Sequence, residues 1–242
     1  MKAIFTCLAT LTIVFLCLPT FASPRGGSNQ AIDYLDRDSE HDKLSIGAYY
    51  HGRKRDVTID GTGVSGELQE DRFVGYGGYD LKHWLTVYGI AGWNKADLGT
   101  ASTPDSDSDL VLGVSLGMDL FTHELEDTVV MEDKFRINSS ISLFRTEFDV
   151  SGSDRDYVEL DVQLTFSLVN DTKGSKFFLP ESIALFVGPI YNDLISGDVD
   201  ESDEAFGVTA GLEFYSVERV SVGLRYEQFN KSGFVGGFNI HF

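Results

Sequence analysis

Between Val158 and Leu168 every second residue is apolar. Val158, Leu160, Val162, Leu164, Phe166 and Leu168 alternate with Glu159, Asp161, Gln163, Thr165 and Ser167. Successive side chains of a strand point to opposite faces, so this run is one strand with an apolar face and a polar face. The plan recurs from Leu110 to Leu120, where Leu110, Leu112, Val114, Leu116, Met118 and Leu120 face Val111, Gly113, Ser115, Gly117 and Asp119. It returns from Phe206 to Phe214 and again from Val220 to Glu227. Leu44 to Tyr50 and Phe135 to Leu143 follow it less regularly. Near Arg72, Trp84 and Ser182 the two faces are harder to separate. Period-2 counting gives about ten such segments. The clean ones suit a tilted membrane crossing, which takes about 9–11 residues, better than a soluble sandwich, whose strands run nearer 5–6.

Alternation alone leaves open which face is outside. The polar faces carry Glu159, Asp161, Gln163, Arg136, Asn138, Glu213, Arg225, Glu227 and Asn239, while the apolar faces are nearly free of charge. That division fits apolar-out and polar-in. No apolar run beyond the first residues is long enough for a spanning helix, and a closed sheet is the other structure that satisfies every backbone group in lipid. The expected fold is therefore all-β: a closed antiparallel up-and-down transmembrane barrel of about ten strands, with eight as the alternative.

Lys2, the apolar stretch Ala3–Leu18 and the small residues Thr20 and Ala22 read as a cleaved secretory signal peptide over residues 1–22. Residues 23–42 form a polar lead expected in the periplasm, and 43–242 the barrel. Cys7 and Cys17 both fall in the signal, so the mature chain has no disulfide to rely on.

The final segment places Phe234, Gly236, Phe238, Ile240 and Phe242 on one face, against Val235, Gly237, Asn239 and His241. With the Gly- and aromatic-rich runs Val74–Asp80 and Val87–Trp93, this resembles small Gram-negative outer-membrane barrels of the OmpA-like, OmpW-like and opacity-protein type. The resemblance implies a cell-outer-membrane location, lipids as surroundings, and recognition of Phe234, Phe238, Ile240 and Phe242 by the barrel-assembly machinery. It is one of architecture, which does not carry function.

The formal charge of −19 argues against nucleic acid, since phosphate binding needs a basic face. Polar, mostly acidic connectors are expected at Arg53–Gln69, Lys95–Asp109, Gly152–Asp156 and Ser196–Glu204, with short turns at Asp80–His83 and Ser216–Arg219. The connectors His123–Lys134 and Asp171–Ser182 are long for inner turns. Two acidic clusters, Asp105/Asp107/Asp109 and Asp198/Asp200/Glu201/Asp203/Glu204, offer carboxylates that divalent cations accept. Neither has EF-hand spacing, and a solvated anionic loop is the simpler reading.

Asp119, Arg136, Glu159, Asp161, Glu213, Arg225 and Glu227 are expected to project into a narrow lumen. Mixed-sign pairs there would form a structural network or line a small cation-preferring path. None of the five histidines sits in an Asp-x-His arrangement of the omptin kind, and no Ser–His constellation stands out. The reading is a barrel with a structural role or narrow-pore solute passage and no cofactor. A binder using its acidic outer loops is the alternative, and an enzyme is disfavoured.

Overall fold

The computed structural model describes residues 43–59, 64–98, 109–125, 132–150, 153–171, 182–201, 205–217 and 220–242. The expected signal peptide, the polar lead and the acidic residues Asp105, Asp107, Asp203 and Glu204 lie outside these residues. The strands are β1 (Leu44–Ile59), β2 (Val64–Lys82), β3 (Leu85–Leu98), β4 (Asp109–Leu125), β5 (Glu132–Val150) and β6 (Ser153–Asp171). They continue as β7 (Ser182–Gly197), β8 (Val199–Glu201), β9 (Phe206–Val217), β10 (Val220–Gln228) and β11 (Ser232–His241).

All pairings are antiparallel, and β11 returns to β1 from Ser45↔His241 to Arg53↔Gly233. Ten strands therefore close into a ring, which removes the unpaired edges that lipid cannot satisfy. The short β8 is an addition to the ring, pairing with the outer end of β1 at Val57–Ile59. The count of ten stands and the eight-strand alternative falls.

The apolar face points outward. Leu110, Leu112, Val114 and Leu116 are all exposed, as are Leu185, Val187, Phe206 and Val208. Such a continuous exposed belt is expected only where lipid covers it. Its outer edge is a cross-strand row of Tyr50, Phe73, Trp93 and Leu110, with Phe73 and Trp93 stacked at 5.2 Å. Trp84, Tyr79, Leu81, Phe121 and Phe242 mark the opposite edge. Rings at both lipid–water boundaries are the usual girdles of such a barrel.

Above the outer girdle the wall inverts. Past Tyr50, the outward positions of β1 become Gly52, Lys54, Asp56 and Thr58, while Arg53, Arg55, Val57 and Ile59 are buried inside. The ladder simply continues into water. Hydropathy misreads this stretch, and four expected connectors need correction. Lys95–Asp109 gives up Lys95–Leu98 to β3, paired to Leu68↔Leu98. Arg53–Gln69 is mostly the β1–β2 hairpin, paired to Ile59↔Val64. Gly152–Asp156 belongs largely to β6, paired to Val150↔Ser153. Ser196–Glu204 contains β8. At the inner end, β4 reaches Leu125 and β5 starts at Glu132, which shortens the expected His123–Lys134 connector. Trp84 lies in the β2–β3 turn, and Asp80 is still in the ladder opposite Thr86.

Candidate functional site: the filled lumen

Three tiers of inward side chains occupy the barrel. The outermost is apolar: Val57, Ile59, Leu68, Ala96, Leu98, Phe148, Tyr157 and Val199 form one buried cluster, with Leu194 packed against it. Phe148 and Tyr157 meet edge-on at 5.7 Å. Beneath the outer girdle a second cluster gathers Tyr49, Val74, Tyr76, Tyr88, Ile90, Val111, Phe144 and Val235. Tyr76 lies over Gly47, where a Cβ would come within 2.4 Å of its ring, and its hydroxyl donates to the Phe238 carbonyl at 3.0 Å. One tyrosine thus spans β1 to tie β2 to β11 across the closing seam.

Between the two clusters lies a charged layer. Glu159 is its centre. Its Oε2 takes Arg72 at 2.8 Å, and its Oε1 takes the Asn192 amide at 2.6 Å, with Arg55 at 3.5 Å and Arg53 at 3.9 Å. Glu70 bridges Arg55 at 3.0 Å and Arg72 at 3.3 Å, and accepts the Tyr157 hydroxyl. Asn192 also donates to Asp161 at 3.2 Å and accepts from Arg53. Two rings extend the layer: the Arg72 guanidinium stands 5.3 Å from the Phe144 centroid, and that of Arg53 lies 4.3 Å from Phe229. Three guanidiniums (Arg53, Arg55, Arg72) pair with Glu70 and Glu159, and Asp161 joins them through Asn192, so with three carboxylates the layer is neutral by count. Neutrality matters because an uncompensated buried charge costs several kcal/mol, about 3–5 when one partner is removed.

A second, smaller group sits beside it. Arg225 donates to Gln163 at 2.8 Å and pairs with Glu227 at 3.2 Å, while His51 lies 3.2 Å from the other Glu227 oxygen. Nearer the inner end, Tyr215 donates to Glu213 at 2.7 Å, and His241 stands 3.6 Å from Asp80, which accepts from Thr86 at 2.5 Å.

The structure therefore distributes the seven expected lumen residues. Glu159 and Asp161 enter the charged layer, Arg225 and Glu227 the second group, and Glu213 the tyrosine pair. Arg136 is fully buried elsewhere in the interior. Asp119 is only half-buried, at a bulge by the inner rim where its amide donates to the Trp84 carbonyl at 2.9 Å. Sequence reasoning missed Arg53 and Arg55 because Arg53–Gln69 read as a connector, and Glu70 and Arg72 because the two faces of the segment that starts near Arg72 could not be separated. The signal was present as continued alternation, Arg53/Arg55/Val57/Ile59 against Lys54/Asp56/Thr58.

The four residues of the expected assembly signal lie on the outward face. Phe234, Phe238 and Phe242 are exposed and Ile240 is half-buried. Among the described residues no group of three or more acidic, histidine or cysteine side chains could hold a metal ion. Asp198 instead pairs with Arg155 at 3.5 Å and accepts from the Asp156 amide.

A ten-stranded ring with a lipid-facing belt and a polar, packed interior decides the architecture. The chain is a small barrel of the outer-membrane type. No family model matches it, and no curated protein matches it in sequence. Among solved structures it is similar to an outer membrane channel from Pseudomonas putida F1, at 11% identity, covering 86% of this chain and 98% of that one with a TM-score of 0.44. It is also similar to Neisserial surface protein A, at 14% identity over 82% and 97% of the two chains with a TM-score of 0.35. Against Ail, the attachment invasion locus protein of Yersinia pestis, identity is 12% over 83% and 99%, with a TM-score of 0.25. Likenesses of this size bear on neither the lumen nor the loops.

Proposed function

We propose that this barrel is closed to solutes, and that its role in the membrane is structural rather than conductive. One observation carries the reading: Arg55, Glu159, Asp161, Tyr157, Asn192 and Phe144 are each 0% exposed. A water-sized sphere touches none of their surface, so at their level the lumen has no room for a file of water. Ten strands enclose an interior only a little wider than eight, and side chains of this size can fill it. The apolar cluster above the charged layer adds a dry lid that a hydrated ion would have to cross. Ion pairing holds the layer together through the mutual compensation of its charges.

The test is a planar-bilayer recording on the refolded monomer. The expected result is no steady current, with at most brief, cation-preferring openings. A large continuous conductance overturns the reading and makes the protein a porin.

A further inference from the structure

His51 is a buried histidine that the charged layer does not use. It faces the lumen from β1, beside the girdle residue Tyr50, and is 2% exposed. Its Nε2 lies 3.2 Å from Glu227 on β10. The contact reaches over β11, where Gly233 has no side chain: a Cβ there would meet the Glu227 carboxylate at 3.4 Å and the imidazole at 3.6 Å. β11 is uncharged at this level, with Val235 opposite His51 in register. On the other side β2 places the buried Arg72 opposite it. β10 adds Arg225, which binds the second Glu227 oxygen at 3.2 Å and reaches Gln163 of β6 at 2.8 Å. Tyr49 and Arg53 flank the ring two residues away on β1. Its charged neighbours in the wall are thus three guanidiniums and one carboxylate.

We propose that His51 is an acid-sensitive release for the packed lumen: a proton gained there loosens the plug and admits current. The inference rests on the closed reading above. Charge count carries it. In the charged layer and the group beside it, Arg53, Arg55, Arg72 and Arg225 stand against Glu70, Glu159, Asp161 and Glu227, four against four. That balance holds only while His51 is neutral. Protonation adds a fifth cation where water hardly reaches, and Glu227 already holds Arg225. Among the described residues the other lumen carboxylates, Glu213, Asp119 and Asp80, lie toward the inner end. Water that enters to hydrate the added charge parts Arg225 from Glu227 and from Gln163, and so frees the contact between β10 and β6. Mild acid reaches the imidazole selectively, because histidine ordinarily titrates at about 6.5 and carboxylates near about 4.

The experiment is planar-bilayer recording on the full barrel at about pH 8 and about pH 5. Silence is expected at the higher pH. At the lower pH the fraction of time open should be at least about tenfold greater, since an uncompensated buried charge is worth more than one decade. His51→Gln, which cannot take up the proton, should stay silent at both. His241→Gln, which changes the histidine beside Asp80 at the inner end, should keep the response. Heat-modified gel mobility establishes that each variant is folded. Should His51→Gln fail to fold, NMR of the ring-labelled parent carries the test: the His51 imidazole should gain its proton over the pH interval in which openings appear. Silence at both pH values overturns the inference and leaves the closed reading standing. A response that persists in folded His51→Gln, or openings that appear while His51 is still neutral, also overturns it. A steady current at the higher pH removes the closed reading and this inference with it.

Discussion

Glu159→Gln puts the charged layer to the sharpest test. The substitution conserves shape and removes one negative charge from a site where Arg72 stands at 2.8 Å, Arg55 at 3.5 Å and Arg53 at 3.9 Å. Three guanidiniums then face two carboxylates, with almost no solvent in contact with the site. Breaking a buried pair on one side costs about 3–5 kcal/mol, because the stranded charge keeps its desolvation penalty. The Asn192 amide also loses its 2.6 Å acceptor, unless the new side chain presents its carbonyl and turns its NH₂ on the guanidiniums. The expected loss is therefore at least about 3 kcal/mol. Adding Arg72→Met returns the count to two against two and should recover a large part of it, since a neutral, well-packed replacement of a buried pair is often tolerated. Urea titration of the barrel refolded into vesicles reads both values through Trp84 and Trp93, which stand at the two girdles. A single-variant cost below about 1 kcal/mol, or a double variant no better than the single, refutes the premise that charge balance holds this layer.

Other outcomes follow from the same geometry. Leu116→Arg, on the lipid face of β4, should cost about 2–4 kcal/mol near the midplane, whereas Leu116→Phe should fold normally; the same urea titration separates them. Leu68→Ala opens the apolar lid and should cost about 2–5 kcal/mol while raising the frequency of brief current steps in a bilayer. The Glu67 carboxyl, outside the membrane between Lys54 and Lys231, is held down at about 2 by hydrogen bonds from those two lysines. A depressed carboxylate contributes stability above its ordinary pKa of 4.5 and loses it as pH falls through the folded value. The tip of the β1–β2 hairpin should therefore resist protease equally at pH 7 and pH 5, then loosen as pH falls from about 4 toward 2. Because the lysine Lys54 is half-exposed, the effect should be small and shrink in high salt, and Glu67→Gln should remove it.

The membrane half of the fold was legible because lipid enforces the rule that sequence reading relies on. Along β4, β6, β9 and β10 every outward residue in the bilayer must be apolar, so alternation is clean and the strands announce themselves. Outside the bilayer that rule lapses. The outward face of β1 beyond Tyr50 is Gly52, Lys54, Asp56 and Thr58, which by composition is indistinguishable from a loop. The strand continues there because its ladder and its inward residues hold it, and neither shows in hydropathy. The lumen was legible only to the same extent. Glu159, Asp161, Arg225 and Glu227 lie on strands whose faces could be told apart. Of their partners, Arg53 and Arg55 lie in the part of β1 that read as a connector, and Glu70 and Arg72 lie where the two faces of β2 could not be separated. Pairings such as Arg72 with Glu159 cross the lumen between distant strands, and a period in one segment cannot disclose a neighbour across a ring.

The inversion of the wall at the Tyr50–Phe73–Trp93 row fixes where this barrel floats. A displacement of two residues along a strand moves the wall by about 6–7 Å. Sinking by that much would bring Asp71 and Lys95 down to the level the rings now hold, and rising would lift the lower rings and Leu44, Leu81 and Leu120 away from the hydrocarbon. Both directions are uphill, so the protein registers its own depth to within a fraction of a strand. A membrane of unsuitable thickness would have to deform to meet it, with the barrel acting as a rigid gauge and the lipid as the compliant partner.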